Sequence, residues 1–302
     1  MYASPPPYVG RFAPSPTSAL HFGSLLAALA SYLDAHHHQG RWLLRMEDLD
    51  PPREQAGAAT AILRTLEHFG LHWHGEVAYQ SRRRADYDAL LHQLLADRSA
   101  YRCDCSRQQI GARTEHGYDG HCRARQPQVQ EPAAVRVAVK DAAFDLDDRI
   151  QGRRRWSLSA GQDDFVLFRR DGFFAYQLAV VADDAAQGIT QVVRGSDLLD
   201  STPRQYYLQR LLDLPHPSYA HIPVLVNAAG QKLSKQTFAR AIHQEPPVPT
   251  LLRALGLLGQ DPPPLLIEAN RDELLRWAVV NWRLDKVPAR LSLPASAIEL
   301  GK

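Results

Sequence analysis

The sequence predicts an α/β fold built on a parallel sheet, and three observations lead to that prediction. An apolar segment at 8–12 is followed by a proline-rich turn and by a long apolar stretch with helical spacing. A second apolar segment, 41–48, follows that stretch. The same alternation of helix and strand returns at 171–199. Since a strand, a helix and a further strand form a right-handed parallel crossover, we expect a Rossmann-like core.

The individual elements can be assigned in chain order from periodicity, turn residues and prolines. The expected strands are 8–12, 41–48, 134–139, 164–169 and 222–226. The expected helices are 21–40, 55–70, 82–100, 248–259 and 271–282. The sequence shows no internal repeat, so one sheet with its covering helices accounts for most of the pattern.

The domain organisation follows from where this periodicity stops. The chain has 302 residues, of which 45% are hydrophobic and 23% charged, a composition typical of a globular protein with a substantial core. Regular spacing is lost at 101–132, where Cys, Gly and Arg dominate. We therefore expect a core domain of 8–100 and 133–236, an insertion at 101–132 and a small helical domain at 237–302.

Charge and hydropathy exclude two broad classes of protein. The formal net charge is +2, so the chain is not a polybasic nucleic-acid coat, although arginines cluster at 82–84, 123–125 and 153–155 and could contact phosphates locally. No apolar run approaches the ~20 residues of a membrane span, and no secretory signal is recognisable. We expect a cytoplasmic monomer without membrane contact.

The quartet HFGS, His21 to Ser24, stands at the predicted start of the first helix. Free backbone N–H groups and the positive end of the helix dipole favour phosphate binding there. Gly23 allows close approach of a nucleotide, and His21 can donate a hydrogen bond to a phosphate oxygen as charge develops. The alternative is that Thr17 or Ser18 caps the helix and His21 is a surface residue.

A second candidate motif, KLSKQ at 232–236, lies far along the chain, after the strand predicted at 222–226. Lys232 and Lys235 flank a serine on a loop and could close over a triphosphate, stabilising the departing pyrophosphate. Taken alone, such a string is common on protein surfaces. Together with a histidine and a glycine at a helix start after a strand, it indicates nucleotide chemistry.

The three cysteines of the chain, Cys103, Cys105 and Cys122, all fall in the insertion. Three thiolates in a stretch without apolar periodicity suit a closed tetrahedral zinc site better than a disulfide framework. His116, Tyr118 and His121 are the candidates for the fourth ligand, and His121 is favoured on chemistry alone because histidine is the more usual donor. The alternative is three free cysteines on a loop.

These motifs together resemble a known family. GRFAPSPTSALHFGS resembles the HIGH-type signature of class I aminoacyl-tRNA synthetases in its glutamyl form, and KLSKQ resembles their KMSKS loop. RMEDLDPPR and AYQLAVVADDAAQGITQVVRGSDLL are similar to the glutamyl subgroup, so the resemblance covers most of 8–240. Ser18 stands where the family usually has glycine, and Ser24 stands where the signature has its second histidine.

The resemblance implies roles for individual residues. Glutamate carries an ammonium and two carboxylates, so its pocket needs an acid and a fork-shaped cation. The implied glutamate-binding residues are Arg11, Phe12, Ala13, Pro14, Ser15, Glu47, Tyr176 and Arg194. The implied ATP-binding residues are His21, Gly23, Ser24 and Lys235, and the implied catalytic residues are His21, Lys232 and Lys235. Mg²⁺ is expected with ATP, and a CxC…YxxxC pattern in one branch of the family implies one Zn²⁺ per chain with Tyr118 as its fourth ligand.

The acceptor is inferred from the short C-terminal region. Residues 237–302 are too few for an anticodon-binding domain of the usual size. The chain thus resembles a truncated branch of the family that activates L-glutamate with ATP and transfers it to the queuosine base at the wobble position of tRNA(Asp). The alternatives are a short glutamyl-tRNA synthetase that charges tRNA(Glu), a catalytically silent binding module, and a small-molecule nucleotidyltransferase.

Overall fold

The observed elements alternate between strand and helix, as expected. The computed structural model of the chain describes residues 7–232 and 242–298. Its strands are β1 (Val9–Phe12), β2 (Arg41–Met46), β3 (Ala78–Tyr79), β4 (Ala100–Cys103), β5 (Ala134–Val137), β6 (Ala142–Asp148), β7 (Gly152–Leu158), β8 (Val166–Phe168), β9 (Gln191–Gly195), β10 (Ser218–Ile222), β11 (Val224–Val226) and β12 (Ser292–Pro294). Its α-helices are α1 (Phe22–His37), α2 (Ala58–His68), α3 (Arg84–Ala96), α4 (Arg107–Gly111), α5 (Tyr176–Ala186), α6 (Thr202–Leu211), α7 (Pro247–Leu257) and α8 (Arg271–Asn281).

Parallel strand pairs form the layer that carries the site. β1 pairs with β2 and β2 with β3 in parallel, while a second sheet has the order β7-β6-β10-β9, parallel except for the β6–β7 hairpin. The backbone N–H of Thr190 donates to Val9 O at 2.9 Å, which brings β1 against the start of β9. The carboxyl ends of β1, β2, β9 and β10 consequently meet at one edge, which is the usual position of ligands in parallel α/β sheets.

Two of the predicted elements that differ from the observed ones do so for a clear local reason. The helix expected over 82–100 ends at Ala96, because Arg98 takes a left-handed conformation with φ of 59° and Ala100 begins β4. The strand expected over 222–226 is broken at Pro223, which has no N–H to donate to a neighbouring strand. That region instead forms the end of β10 and the separate β11.

The insertion lies beside a third sheet, which is antiparallel. β4 pairs with β5 and β5 with β8, in the order β4-β5-β8. The cysteine-containing segment connects β4 to β5, so both of its ends are fixed by adjacent strands. This arrangement holds the cysteines against a rigid support.

One apolar cluster joins the first sheet to the C-terminal helices. The α1 residues Leu25, Leu29 and Leu33 are fully buried and belong to the same cluster as Leu251 of α7 and Leu274 of α8. Leucines on one face of α1 therefore pack on the sheet and on both C-terminal helices, which fixes the helix that carries the HFGS motif at its start. Within 7–232 and 242–298, no helix is both long and apolar enough to cross a membrane.

Candidate active site

A cavity of about 630 Å³ opens at the carboxyl ends of the parallel strands. Its lining includes every residue assigned above to ATP or glutamate that falls within the described part of the chain: Arg11, Phe12, Ala13, Pro14, Ser15, His21, Gly23, Ser24, Glu47, Tyr176, Arg194 and Lys232. Lys235 lies outside the described residues. The fold thus brings together residues that are up to 221 positions apart in the sequence, counted from Arg11 to Lys232.

His21 caps the helix that faces the cavity. Its Nδ1 accepts a hydrogen bond from the backbone N–H of Ser24 at 3.3 Å, so the cap is His21 itself and not Thr17 or Ser18. Because Nδ1 is an acceptor, the proton of the neutral ring is on Nε2, which lies 3.2 Å from Ser24 Oγ. The Nε2–H group is therefore a hydrogen-bond donor on a residue that lines the cavity.

The His21 ring is kept neutral and is given room by its neighbours. Burial, together with the positive charge of Lys232, lowers the pKa of His21 to about 4. A side chain at Gly23 would place its Cβ 3.2 Å from both Cε1 and Nδ1 of His21. Gly23 therefore allows the imidazole to take its capping position, and at neutral pH the ring acts as a hydrogen-bond donor without net charge.

Lys232 is held at the rim of the cavity by an acidic partner. Its Nζ lies 2.6 Å from Oδ2 of Asp197, which follows β9. Lys232 also forms an isolated antiparallel bridge with Val226, which closes the turn after β11. A cation is thus placed near His21 by contacts on two sides.

Arg11 enters the pocket from β1 with one edge of its guanidinium already paired. It is 3% exposed, and its Nε and Nη2 lie 3.2 and 3.3 Å from the two carboxylate oxygens of Asp184 on α5. Asp184 also accepts from Nη2 of the fully buried Arg45 at 2.7 Å. Asp184 therefore fixes two guanidinium groups at the floor of the pocket.

Glu47 follows β2 directly and supplies a carboxylate to the same pocket. Its backbone N–H donates to Pro14 O at 2.9 Å, so the turn after β1 and the end of β2 are tied together. Its side chain is 9% exposed, and Oε1 lies 3.5 Å from Nη2 of Arg45. Burial raises the pKa of Glu47, and the charges of Arg45 and Arg11 oppose that rise.

Arg194 on β9 is a further buried guanidinium of the pocket, and its hydrogen-bond partners among the described residues are all neutral. It is 5% exposed. Among the described residues its acceptors are His221 Nε2 at 2.9 Å, Gln205 Oε1 at 2.9 Å, Thr202 Oγ1 at 3.0 Å, Leu198 O at 3.2 Å and Tyr176 Oη at 3.4 Å. A buried cation without a carboxylate in direct contact favours an anionic ligand.

The cysteine cluster has the dimensions of a zinc site. The three Sγ atoms of Cys103, Cys105 and Cys122 lie within 4.8 Å of one another, and Cys105 and Cys122 are 3.4 Å apart. Zn–S bonds of about 2.3 Å in a tetrahedron place sulfurs about 3.8 Å apart, so these thiols fit one ion. Cys103 and Cys122 are buried, which is typical of a closed structural site.

The three candidates for a fourth ligand are placed differently, and His116 is exposed and is not part of the cluster. Tyr118 is buried, and its Oη lies 3.3 Å from Cys103 Sγ and 3.9 Å from Cys105 Sγ. The ring of His121 is exposed, and its Nε2 lies 2.9 Å from Nη1 of Arg125, outside the cluster. Arg136 stacks over the Tyr118 ring at 4.2 Å, which adds positive charge next to the donors.

Sequence reasoning missed the residues that hold the pocket cations in place. Asp183 and Asp184 lie on α5 among buried apolar residues, and Asp183 accepts hydrogen bonds from Gln80 and Tyr87 and forms an ion pair with Arg83. A pair of acids inside an otherwise apolar helix was a signal that could have found them. His221 carries no such local signal, since its partners come from other strands.

The comparisons with known proteins agree with this geometry. The family described as "tRNA synthetases class I (E and Q), catalytic domain" matches residues 8–265. Two solved structures, glutamate-tRNA synthetase from Elizabethkingia anophelis and a glutamate tRNA ligase from Elizabethkingia meningosepticum in complex with its amino acid, are each 25% identical with a TM-score of 0.80. They are covered over 70% and 68% of their length by 98% and 97% of this chain. The fold is that of a class I tRNA synthetase catalytic domain, as predicted.

More similar relatives define the group within that class. "Glutamyl-Q tRNA(Asp) synthetase" of Chromobacterium violaceum is 53% identical over 96% of this chain and 98% of that protein. The protein of the same name from Ectopseudomonas mendocina is 53% identical over 95% of this chain and 97% of its own length. This chain therefore belongs to the family of the glutamyl-Q tRNA(Asp) synthetases.

Proposed function

We propose that the chain activates L-glutamate with ATP and transfers the glutamyl group to the queuosine base at the wobble position of tRNA(Asp). The observation that carries the proposal is Arg194, a buried guanidinium with neutral partners in the same cavity as Glu47 and His21. An amino acid with a second carboxylate complements that cation, and its ammonium complements Glu47. The 53% identity to glutamyl-Q tRNA(Asp) synthetases over nearly the whole chain supports the acceptor.

The cavity divides into two regions with separate tasks. Glutamate binds among Arg11, Phe12, Ala13, Pro14, Ser15, Glu47, Tyr176 and Arg194, and ATP binds among His21, Gly23, Ser24 and Lys235. Arg11 retains Nη1 for substrate, since in the described part of the chain only its Nε and Nη2 donate to Asp184. Both substrates are charged, so fixed donors in a partly enclosed pocket hold them in the orientation that the reaction requires.

The first step is adenylation. A carboxylate oxygen of the glutamate α-carboxyl attacks the α-phosphorus of ATP, and the bond from that phosphorus to the pyrophosphate oxygen breaks. Nε2–H of His21 donates to a phosphoryl oxygen as charge increases there, and Lys232 and Lys235 stabilise the departing pyrophosphate. Mg²⁺ is bound mainly by the phosphates, as is usual for nucleotide substrates.

The second step is acyl transfer. A hydroxyl of the queuosine cyclopentene ring attacks the carbonyl carbon of the glutamyl-adenylate, AMP leaves, and the hydroxyl proton is released. Arg153 and Arg155 on β7 are exposed and can contact tRNA phosphates without entering the cavity. Cys103, Cys105, Tyr118 and Cys122 would hold a zinc ion that stabilises the insertion, and none of these four residues lines the cavity.

Labelled glutamate tests activation and acceptor together. The enzyme is incubated with labelled glutamate and ATP, and separately with tRNA(Asp) that contains queuosine, tRNA(Asp) that lacks it, and tRNA(Glu). Label on the queuosine-containing tRNA(Asp) alone supports the proposal. Label on tRNA(Glu) would instead support a short glutamyl-tRNA synthetase. Absence of glutamate-dependent pyrophosphate exchange would refute activation altogether.

A further inference from the structure

Three adjacent strands, β6, β10 and β9, carry a hydrogen-bonded series of side chains, Asp148–His221–Arg194. In the parallel pairing of β9 with β10, Arg194 lies directly opposite His221, so both side chains point to the same face of the sheet. Asp148 is the last residue of β6, the strand on the other side of β10. All three are buried, with exposed fractions of 5%, 0% and 9% for Arg194, His221 and Asp148. None of the steps described above uses His221 or Asp148.

The hydrogen bonds of this Asp148–His221–Arg194 series define a single protonation state of His221. Nε of Arg194 lies 2.9 Å from Nε2 of His221, and a guanidinium nitrogen can only donate. Nε2 must therefore carry a lone pair, which places the imidazole proton on Nδ1. Nδ1 lies 2.5 Å from Oδ2 of Asp148, so it donates to that carboxylate. His221 thus connects a cation to an anion while remaining neutral.

Asp148 is an unusually well fixed acceptor. Its Oδ1 accepts from three backbone N–H groups, those of Ile150 at 3.0 Å, Gln151 at 2.8 Å and His221 at 3.1 Å. These three donors leave Oδ2 directed at His221. Although burial acts in the opposite direction, the hydrogen bond from His221 and those from the backbone of Gln151 and Ile150 hold the pKa of Asp148 below its usual value. The carboxylate remains charged and cannot rotate away.

We propose that Asp148 and His221 are positioning residues that orient Arg194 for the substrate carboxylate. A carboxylate placed directly on Nε would orient the guanidinium equally well, but it would neutralise the charge that the substrate must meet. A neutral imidazole fixes Nε and leaves the guanidinium its positive charge. The inference rests on the proposed function, because it assumes that Arg194 binds glutamate.

The surroundings keep His221 neutral at physiological pH. Burial and the positive charge of Arg194 lower the pKa of His221, while Asp148 and Asp197 act in the opposite direction. These are the charged groups that face it from β9, from β6 and from the segment after β9; α6 contributes the uncharged Thr202, 3.3 Å from Nε2. Protonation of Nε2 would remove the acceptor of Arg194 and set two cations against each other.

Two substitutions of His221 separate its two hydrogen bonds. H221N retains a donor near the position of Nδ1 and lacks the acceptor for Arg194. H221Q places a carbonyl oxygen near the position of Nε2 and loses the donor to Asp148. In glutamate-dependent ATP–pyrophosphate exchange, H221N should raise the KM for glutamate at least about tenfold, the lower end of the effect of one lost hydrogen bond to a charged group. H221Q should recover at least half of that loss, and the KM for ATP should stay within about twofold for both.

D148N tests the same Asp148–His221–Arg194 series from the Asp148 end. The three backbone donors hold the carboxamide oxygen in the position of Oδ1, so the NH₂ group faces His221. The imidazole must then accept at Nδ1 and carry its proton on Nε2, where it opposes the N–H of Arg194. The KM for glutamate should rise at least as much as in H221N. The control is H216N, which alters an exposed histidine hydrogen-bonded to Gln209 at 3.0 Å, and it should leave both KM values unchanged.

Each outcome decides the proposal. Thermal midpoints show which variants are folded, and D148N and H221Q remain informative if H221N does not fold. An unchanged KM for glutamate in folded D148N and H221N would overturn the positioning role, as would equal losses in kcat and in the KM values of both substrates. If the wild-type enzyme itself shows no glutamate-dependent exchange, the proposed function fails, which is a different result from a variant that matches wild type.

Discussion

Replacing Glu47 by glutamine tests the ammonium site of the pocket. The substitution is isosteric and removes one negative charge from a side chain that is 9% exposed. The fold should tolerate it, because Arg45, whose Nη2 is 3.5 Å from Glu47, is held more closely by Asp184 at 2.7 Å and by Gln187 at 2.5 Å. The expected damage therefore falls on substrate binding and not on stability.

The magnitude follows from what the ammonium loses. A hydrogen bond between an ammonium and a buried carboxylate is replaced by one to a neutral amide, while the positive charges of Arg11 and Arg45 remain. The cost is about 2 to 3 kcal/mol, the range shared by charged hydrogen bonds and by truncated buried charge pairs. E47Q should therefore raise the KM for glutamate roughly 30- to 140-fold.

Pyrophosphate exchange with glutamate and ATP varied separately is the assay for E47Q. Asp48 provides the matched control, because it is adjacent in sequence and accepts from the backbone N–H and Oγ of Ser81 at 2.9 and 2.6 Å. D48N should leave the KM for glutamate within about twofold of wild type. Equal effects of E47Q and D48N, or a parallel rise in the KM for ATP, would refute the assignment of Glu47 to the ammonium.

The pH dependence of the KM for glutamate adds a second readout. Only the ionised form of Glu47 holds an ammonium, and burial raises the pKa of the free enzyme's Glu47 above its usual value. As the pH falls through that raised pKa, the wild-type KM for glutamate should rise, and this contribution should be absent in E47Q. An acidic rise of the same size in E47Q would assign the titration to another group.

Three further predictions address other parts of the molecule. H21N keeps an acceptor near the position of Nδ1 and loses the Nε2 donor, so it should lower kcat for exchange about 100-fold or more with little change in the KM for glutamate; a change confined to KM would contradict this. C122S should reduce bound zinc, measured by elemental analysis, and lower the thermal midpoint by at least about 5 °C; unchanged zinc content would exclude this thiol as a ligand. Reversing charge at Arg153 and Arg155 should weaken glutamyl transfer to tRNA but leave exchange intact, since Arg153 pairs only with the exposed Asp145 at 3.0 Å among the described residues; equal loss of both activities would contradict a tRNA contact.

The sequence predicted the parts of the fold that have strong apolar periodicity. β1, α1 and β2 were found because apolar residues recur with strand and helix spacing and a proline-rich turn separates them. The β6–β7 hairpin was missed, although Phe144 and Leu146 alternate with acids. Its second strand begins with Gly152 and three arginines, of which only Arg154 is partly buried, so it offers little apolar alternation. Strands with both faces partly solvated carry a weak pattern.

The site residues likewise divide into those that a local sequence pattern reveals and those that it does not. Arg11, near the end of β1, and Ser15 and His21, in the turn after it, are close together in the sequence, and a motif therefore reveals them. The groups that orient them come from other strands or from the middle of a helix: Asp184 lies 173 positions from Arg11. Contacts between such distant residues depend on strand order and register, which local periodicity does not determine.

Arg194 illustrates how residues that are distant in the sequence affect a binding residue. A motif that supplies a buried arginine specifies a positive charge, but its usefulness for binding depends on its partners. Asp184 compensates the charges of Arg11 and Arg45 by direct contact. Arg194 instead contacts the neutral His221, and the carboxylate of Asp148 contacts only the far side of that imidazole. The positive charge of Arg194 therefore stays uncompensated because its partner is a neutral imidazole and not a carboxylate. The strand order β6-β10-β9 produces this arrangement, since it places His221 between Asp148 and Arg194. If Arg194 binds the substrate as proposed, selection of a dicarboxylic amino acid depends on strand topology as much as on the arginine itself.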